Sequence, residues 1–228
     1  RLCCSNAGAY VCVSTVHMCL EAYKSPSFEK IVNDANLVIP DGKPIAIAQR
    51  LLGHKGGSQV RGQDFMDEIC EQSLDSKLNI GLYGGNNIDV LQRVQENLRS
   101  KYPGIAITYA FSPPFRDLTR DEDEKVIAEI ESANLDILFV GIGCPKQEIW
   151  MASHLGKCNS VMIGVGAAFD FISGNKKHAP KWMQKVVLEW FFRLLDEPQR
   201  LWRRYLILNP LFIYKFSQQL IRHRLMRK

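Results

Sequence analysis

Asp41 stands between Pro40 and Gly42, directly after the short apolar run Leu37-Val38-Ile39. A carboxylate at the end of such a run adds nothing to a sheet. It can serve as a general base that takes the proton of an attacking hydroxyl, or as a cap for the helix that Pro44 opens. A second constellation is Gly141-Ile142-Gly143-Cys144-Pro145-Lys146-Gln147-Glu148. Lys146 suits a phosphate. Gln147, both donor and acceptor, suits a sugar hydroxyl. Glu148 suits the positive end of a helix. Cys144 has no histidine spaced to activate it as a nucleophile. Three glycine-rich turns complete the set: Tyr83-Gly84-Gly85, Gly141 to Gly143, and Gly164-Val165-Gly166 leading to Asp170. Glycine lets backbone approach a ligand, and a helix start offers free N–H groups to phosphate. Such turns also serve simple tight turning. Asp170 reads as a partner of a nucleotide's ribose or base, or as a turn cap.

Other chemistries are missing from the sequence. There is no HExxH or HxxxH spacing and no Asp-x-Asp pair of the sort that chelates a metal beside a nucleotide diphosphate, so the expectation is no metal site and no cofactor. Neither Gly-x-Gly-x-x-Gly after the first strand nor a Walker-type lysine motif occurs, which argues against a nicotinamide enzyme or an ATPase. If a sugar nucleotide is the donor, arginines must neutralise its leaving phosphate.

The supply of arginine is in the tail. Residues 176–228 hold 13 Lys+Arg against 3 Asp+Glu, whereas the whole chain carries a net charge of only +5. Arg193, Arg200 and Arg203 are spaced close to whole helical turns, and Pro198 should break the helix between them and fold the tail over the ligand edge. Trp202, Leu206, Ile207, Leu211 and Phe212 suit lipid. Arg204, Lys215, Arg222, Arg224, Arg227 and Lys228 suit anionic headgroups. A basic aromatic segment also permits packing on the body or binding to nucleic acid.

Elements must hold these residues at one place. Apolar runs at 10–14, 37–40, 79–83, 105–111, 137–141 and 160–165 predict strands. Between them, patterns at 17–23, 28–35, 44–52, 63–73, 88–101, 120–132 and 146–154 predict helices. This alternation implies a Rossmann-like α/β three-layer sandwich with a mostly parallel sheet over 1–175, followed by a basic helical appendage over 176–228. Ligands then gather at the carboxyl edge of the strands. Seven cysteines without a CxxC pair suit a reducing cytoplasm, and no run reaches the length of a spanning helix.

Taken in order, Pro40-Asp41-Gly42, Leu82-Tyr83-Gly84-Gly85, the Pro145-Lys146-Gln147-Glu148 block, Leu188-Glu189-Trp190 and Arg193 through Glu197-Pro198-Gln199-Arg200 resemble the WecG/TagA/CpsF glycosyltransferases, glycosyltransferase family 26. The resemblance spans roughly 11–214. It implies an inverting, metal-independent enzyme. That enzyme moves a sugar of N-acetylmannosamine type from a UDP-sugar to a polyprenyl-diphosphate-linked saccharide in bacterial surface polysaccharide synthesis. It would work in the cytoplasm, peripherally on the inner membrane face, without nucleic acid and with self-association left open. It assigns Asp41 as base, Gln147 near the sugar hydroxyls, and Arg193, Arg200 and Arg203 to activity and membrane attachment. Tyr83, Gly84, Gly85, Gly141, Gly143, Lys146, Gly166 and Asp170 fall to donor binding. Two departures stand out. Thr15, in Ser14-Thr15-Val16-His17, sits where the family usually has Asn. The family's Arg-Val-x-Gly is here Gln59-Val60-Arg61-Gly62, with the arginine two residues on. In extended chain that keeps the same face, so Arg61 is expected at the site. The alternative from another class is a nucleotide- or nucleic-acid-binding module without chemistry.

Overall fold

The computed structural model describes residues 8–54, 58–177, 179–180, 183 and 188–226. Six strands form one sheet: β1 (Ala9–Ser14), β2 (Leu37–Pro40), β3 (Asn79–Gly84), β4 (Ala106–Phe111), β5 (Ile137–Gly141) and β6 (Val161–Gly164). Their order is β2-β1-β6-β5-β3-β4, and every pairing is parallel. All six expected strands are present, with ends shifted by one residue or so.

Period-two alternation sorts the strand residues to two cores. Val11, Val13, Ile80, Leu82, Phe139 and Ile163 face one layer, where they meet residues of α4 (Gly62–Ser76), α5 (Ile88–Lys101) and α8 (Ala168–Ile172). Tyr10, Cys12, Tyr83, Leu138, Val140 and Met162 face the other. There they pack on α1 (Val16–Lys24), α2 (Pro26–Asn33), α6 (Arg120–Ser132) and α7 (Lys146–His154). The inner strands β1, β5 and β6 are buried almost throughout. The edge strand β2 leaves Leu37 and Val38 exposed. Helix α3 (Lys43–Leu51) follows β2.

Strand β1 lies between β2 and β6, so the loops after β2, β1, β6 and β5 share one stretch of the carboxyl edge. The tail closes over it. Helix α9 (Glu189–Asp196) stops before Pro198, at Glu197 with φ −130° and ψ 63°. Helix α10 (Pro198–Trp202) restarts with the proline in its first turn, where the missing N–H costs nothing. A π-helical segment, Arg203–Leu208, leads into α11 (Asn209–Leu225). Leu201 is 2% exposed and anchors this unit, a burial that contributes about 1.5–3 kcal/mol. Lys215 of α11 lies 4.9 Å from the Tyr23 ring of α1.

Candidate active site

A cavity of about 370 Å³ opens at the carboxyl edge, between the loops after β2, β1, β6 and β5 and the inner face of the tail. That is the size of a small-molecule site. Thr15, Asp41, Arg61, Gly143, Gln147, Gly166, Arg193 and Arg200 all line it. Each is a residue that the sequence marked, and four separate strand ends, the start of α4 and two tail helices bring them together.

Asp41 arrives as β2 ends. Its N–H donates to the Ser14 carbonyl at 2.7 Å, which ties the loop after β2 to the end of β1. Gly42, at φ 95°, holds the N-cap position of α3, with no side-chain cap bond. Asp41 itself stands on the cavity wall. Thr15 is the N-cap of α1, its Oγ1 accepting from the Met18 N–H at 3.3 Å. The hydroxyl proton is left to point elsewhere. Arg61 stands at the start of α4, its Nε 3.8 Å from Asp64 Oδ2, and Gln59 lines the same wall. The two-residue displacement thus leaves both side chains at the cavity.

Gln147 lies at the centre of the floor, 2% exposed. Its Oε1 accepts from the N–H of Gly143 and of Gly166, both at 3.2 Å. Its Nε2 donates to Glu148 Oε1 at 2.7 Å. One amide therefore clamps the glycine turns after β5 and β6. Gln147 thus holds the floor together, while it also lines the cavity where a sugar hydroxyl was expected to meet it. Glu148 is fully buried; burial raises its pKa, partly offset by the bond from Gln147. Cys144 lines the cavity, but burial and the nearby Glu148 push its thiol pKa up. A thiol of that kind is protonated and a poor nucleophile.

Cations face this floor from the tail. Arg193 is held over the Phe171 ring at 5.4 Å, and its buried Nε has no hydrogen-bond partner among the described residues. Arg200 pairs with Glu197 at 2.5 Å. Arg204, which the sequence assigned to headgroups, turns inward to line the cavity, while Arg203 faces outward over the Trp202 ring at 5.3 Å. Burial lowers the pKa of Arg204, and neighbouring Arg200 lowers it further. His17 also reaches the cavity, its pKa lowered by burial and then by Arg204, with its buried Nδ1 lacking a partner among the described residues.

Other expected donor contacts lie elsewhere. Tyr83 is 2% exposed and stacks on Trp150, with ring centroids 4.3 Å apart. Gly84 is a glycine because two backbones meet, a Cβ there coming within 2.6 Å of the Gly141 carbonyl oxygen, whereas a Cβ on Gly141 would press on the Phe169 ring at 3.0 Å. Gly85 continues that turn with its N–H 3.4 Å from the same oxygen. Lys146 is exposed on the first turn of α7 and off the cavity. Both oxygens of Asp170 are engaged, Oδ1 by Asn86 at 2.8 Å and Oδ2 by Lys176. Lys176 also reaches Glu197 at 3.4 Å, so Asp170 is a lock between body and tail. Among the described residues no group of three His, Cys, Asp or Glu could hold a metal ion. Arg227 and Lys228 lie outside the described residues.

Comparison with known proteins gives a consistent result. The model of the "Glycosyl transferase WecG/TagA/CpsF family" matches residues 1–226. A protein of Bacillus subtilis (strain 168) is 33% identical over 87% of this chain and 75% of its own length. One from Staphylococcus aureus (strain NCTC 8325 / PS 47) is 32% identical over 84% of this chain and 73% of its own. Both are named N-acetylglucosaminyldiphosphoundecaprenol N-acetyl-beta-D-mannosaminyltransferase.

Proposed function

Because the chain belongs to the WecG/TagA/CpsF glycosyltransferase family, we propose that its cavity transfers an N-acetylmannosaminyl-type sugar from a UDP-sugar to a polyprenyl-diphosphate-linked saccharide. One observation supports this most: Asp41 shares a cavity with the guanidinium groups of Arg193, Arg200 and Arg204. A transferase needs a base for the acceptor hydroxyl and a cationic sink for the leaving diphosphate.

Asp41 takes the proton of the acceptor hydroxyl as that oxygen bonds to the anomeric carbon. The bond from that carbon to the donor diphosphate breaks, and the electron pair leaves on UDP. Arg193, Arg200 and Arg204 meet the charge that develops there, and such preorganised donors act most strongly away from water. The buried Nε of Arg193 gains the acceptor it lacks. An α-linked donor attacked from its opposite face gives a β product, so the step inverts. Guanidinium groups do what a divalent cation does in other nucleotide-sugar enzymes, and we propose that transfer needs no metal. The clamp of Gln147 keeps the Gly143 and Gly166 turns open beneath the sugar, while Thr15 and Arg61 contact substrate from the β1 and β2 side.

Where the enzyme works follows from the tail. No residue of α11 is buried, and Ile213, Ile221, Leu225 and Met226 are exposed beside Arg222 and Arg224. No helix among the described residues is long and apolar enough to cross a membrane. We propose that 176–228 forms a basic appendage that rests on the anionic inner face of the cell membrane, where a polyprenyl acceptor resides.

The test is direct. UDP-N-acetylmannosamine and a short-chain polyprenyl-diphosphate N-acetylglucosamine should yield UDP and a disaccharide product with β linkage, and chelator should leave the rate unchanged. No product from a panel of UDP-sugars, or a rate abolished by chelator and restored by magnesium, would contradict the reading.

A further inference from the structure

Outside the cavity, on the far side of Arg200 and Arg204, lies a second hollow of about 450 Å³. His17, Arg200, Arg204 and Leu208 line both spaces. Lys24 and Arg203 line only the outer one, and Arg61 and Arg193 only the inner. The positive charge of the site is thus divided between two adjoining compartments that share a wall.

The transfer proposed above has a matching division. Both of its substrates carry a diphosphate. The donor's must lie beside the anomeric carbon, among the inner arginines. The acceptor's is attached to the sugar whose hydroxyl attacks, so it must lie about one sugar further out, and a hydrocarbon chain leaves from it. We propose that the outer groove binds the diphosphate of the lipid-linked acceptor, with Lys24 and Arg203 as its dedicated cations; this inference rests on the transfer reading. Three observations support the assignment. First, no carboxylate among the described residues pairs with Arg203 or Arg204. Among the described residues the acids bound to the other groove cations are Glu21, 3.1 Å from Lys24 and 3.8 Å from His17, and Glu197 on Arg200. A cluster left with excess positive charge favours an anion. Second, Trp202 and Ile207 line the same groove and are 42% and 49% exposed, so a charged floor sits beside an apolar rim. An anion with an alkyl chain meets both, whereas a free nucleotide meets only the first. Third, Leu208 of the groove lining adjoins the start of α11, whose exposed apolar residues offer a surface on which the chain would lie.

The experiment uses the full chain with Lys24→Gln and Arg203→Gln combined. Two acceptors are compared, N-acetylglucosamine on farnesyl diphosphate and the same sugar on a neutral alkyl group of equal length. The acceptor KM should rise at least about tenfold for the diphosphate compound, since hydrogen bonds to a charged group are lost. The loss should be confined to that acceptor, and the donor KM should stay within about twofold. An equal rise in donor KM, an equal loss with both acceptors, or no loss at all would overturn the assignment. Calorimetric titration with farnesyl diphosphate, in the absence of donor, decides the groove without turnover. The wild type should bind it more tightly than inorganic pyrophosphate, and the double variant should lose about tenfold. Equal binding of the two probes, or no loss in the variant, overturns the proposal. A protein that binds farnesyl diphosphate as expected but transfers no sugar would retain the groove and lose the transfer reading.

Discussion

At the scale of single residues, Glu148 shows how much a buried group can be hidden from sequence. In the sequence it is a first-turn acid beside a helix dipole; in the fold it is wholly buried and accepts the Nε2 hydrogen of the clamp residue Gln147. Its raised pKa fixes a sign. Folding favours the protonated form, so stability is fully present below the unfolded value near 4.5 and is lost as pH rises through the folded pKa. Glu148→Gln keeps an oxygen for Gln147 and removes the titration. The melting temperature of the variant relative to wild type should therefore climb as pH is raised from about 4.5 to 8. A difference independent of pH would show that Glu148 does not titrate in this way. Arg204 carries a second prediction. Arg204→Gln should lower kcat by about 10²–10³ while the protein stays folded, the cost of removing one donor to developing charge. Turnover within a few-fold of wild type would remove Arg204 from the leaving-group site. Asp41 and Gln147 were legible as cavity residues from their types and neighbours, and Thr15, Arg61, Arg193 and Arg200 from the family resemblance. Arg204 was not, since the tail offered two adjacent arginines. Helical arithmetic slightly favours the right one: a residue four after Arg200 lies about 40° from it, and a residue three after lies about 60° away.

At the scale of elements, the alternation of apolar runs and helical patterns made all six strands and the seven helices before β6 readable. Parallel strands are apolar on both faces and need a crossover helix between each pair. Which glycine turn meets a ligand was not readable, because that depends on strand order. With β6 inserted between β1 and β5, the loop after β3 is carried away from the cavity, and Gly84-Gly85 become packing glycines. The consequence is testable. Gly84→Ala places a Cβ 2.6 Å from the Gly141 oxygen at φ 141°, and should cost about 2–3 kcal/mol of stability. The donor KM of the folded fraction should stay near wild type. A stable variant that loses donor affinity would return this turn to the binding site. The helix start at Pro44 and the break at Pro198 were equally plain, since proline tolerates only a first turn, whereas the helix expected from 28 begins at Pro26.

At the scale of the whole molecule, the acidic body and basic tail complete one another. The body supplies Asp41 and the glycine floor, and the tail supplies the arginines and, as we propose, the membrane surface. Removal of 177–228 should leave a body that neither binds anionic liposomes nor turns over. Liposome binding unchanged by truncation or insensitive to salt would refute the membrane role. Full turnover on a soluble acceptor would refute the catalytic one. The account turns, finally, on Asp41 as the base, and one measurement addresses it most directly. Single-turnover transfer from UDP-N-acetylmannosamine, at saturating donor and acceptor, is compared between the wild type and Asp41→Asn. With Asp41 as the base, the rate should fall by about 10²–10⁴, the contribution of a positioned acid–base group, with donor affinity retained. A rate within a few-fold of wild type would contradict it.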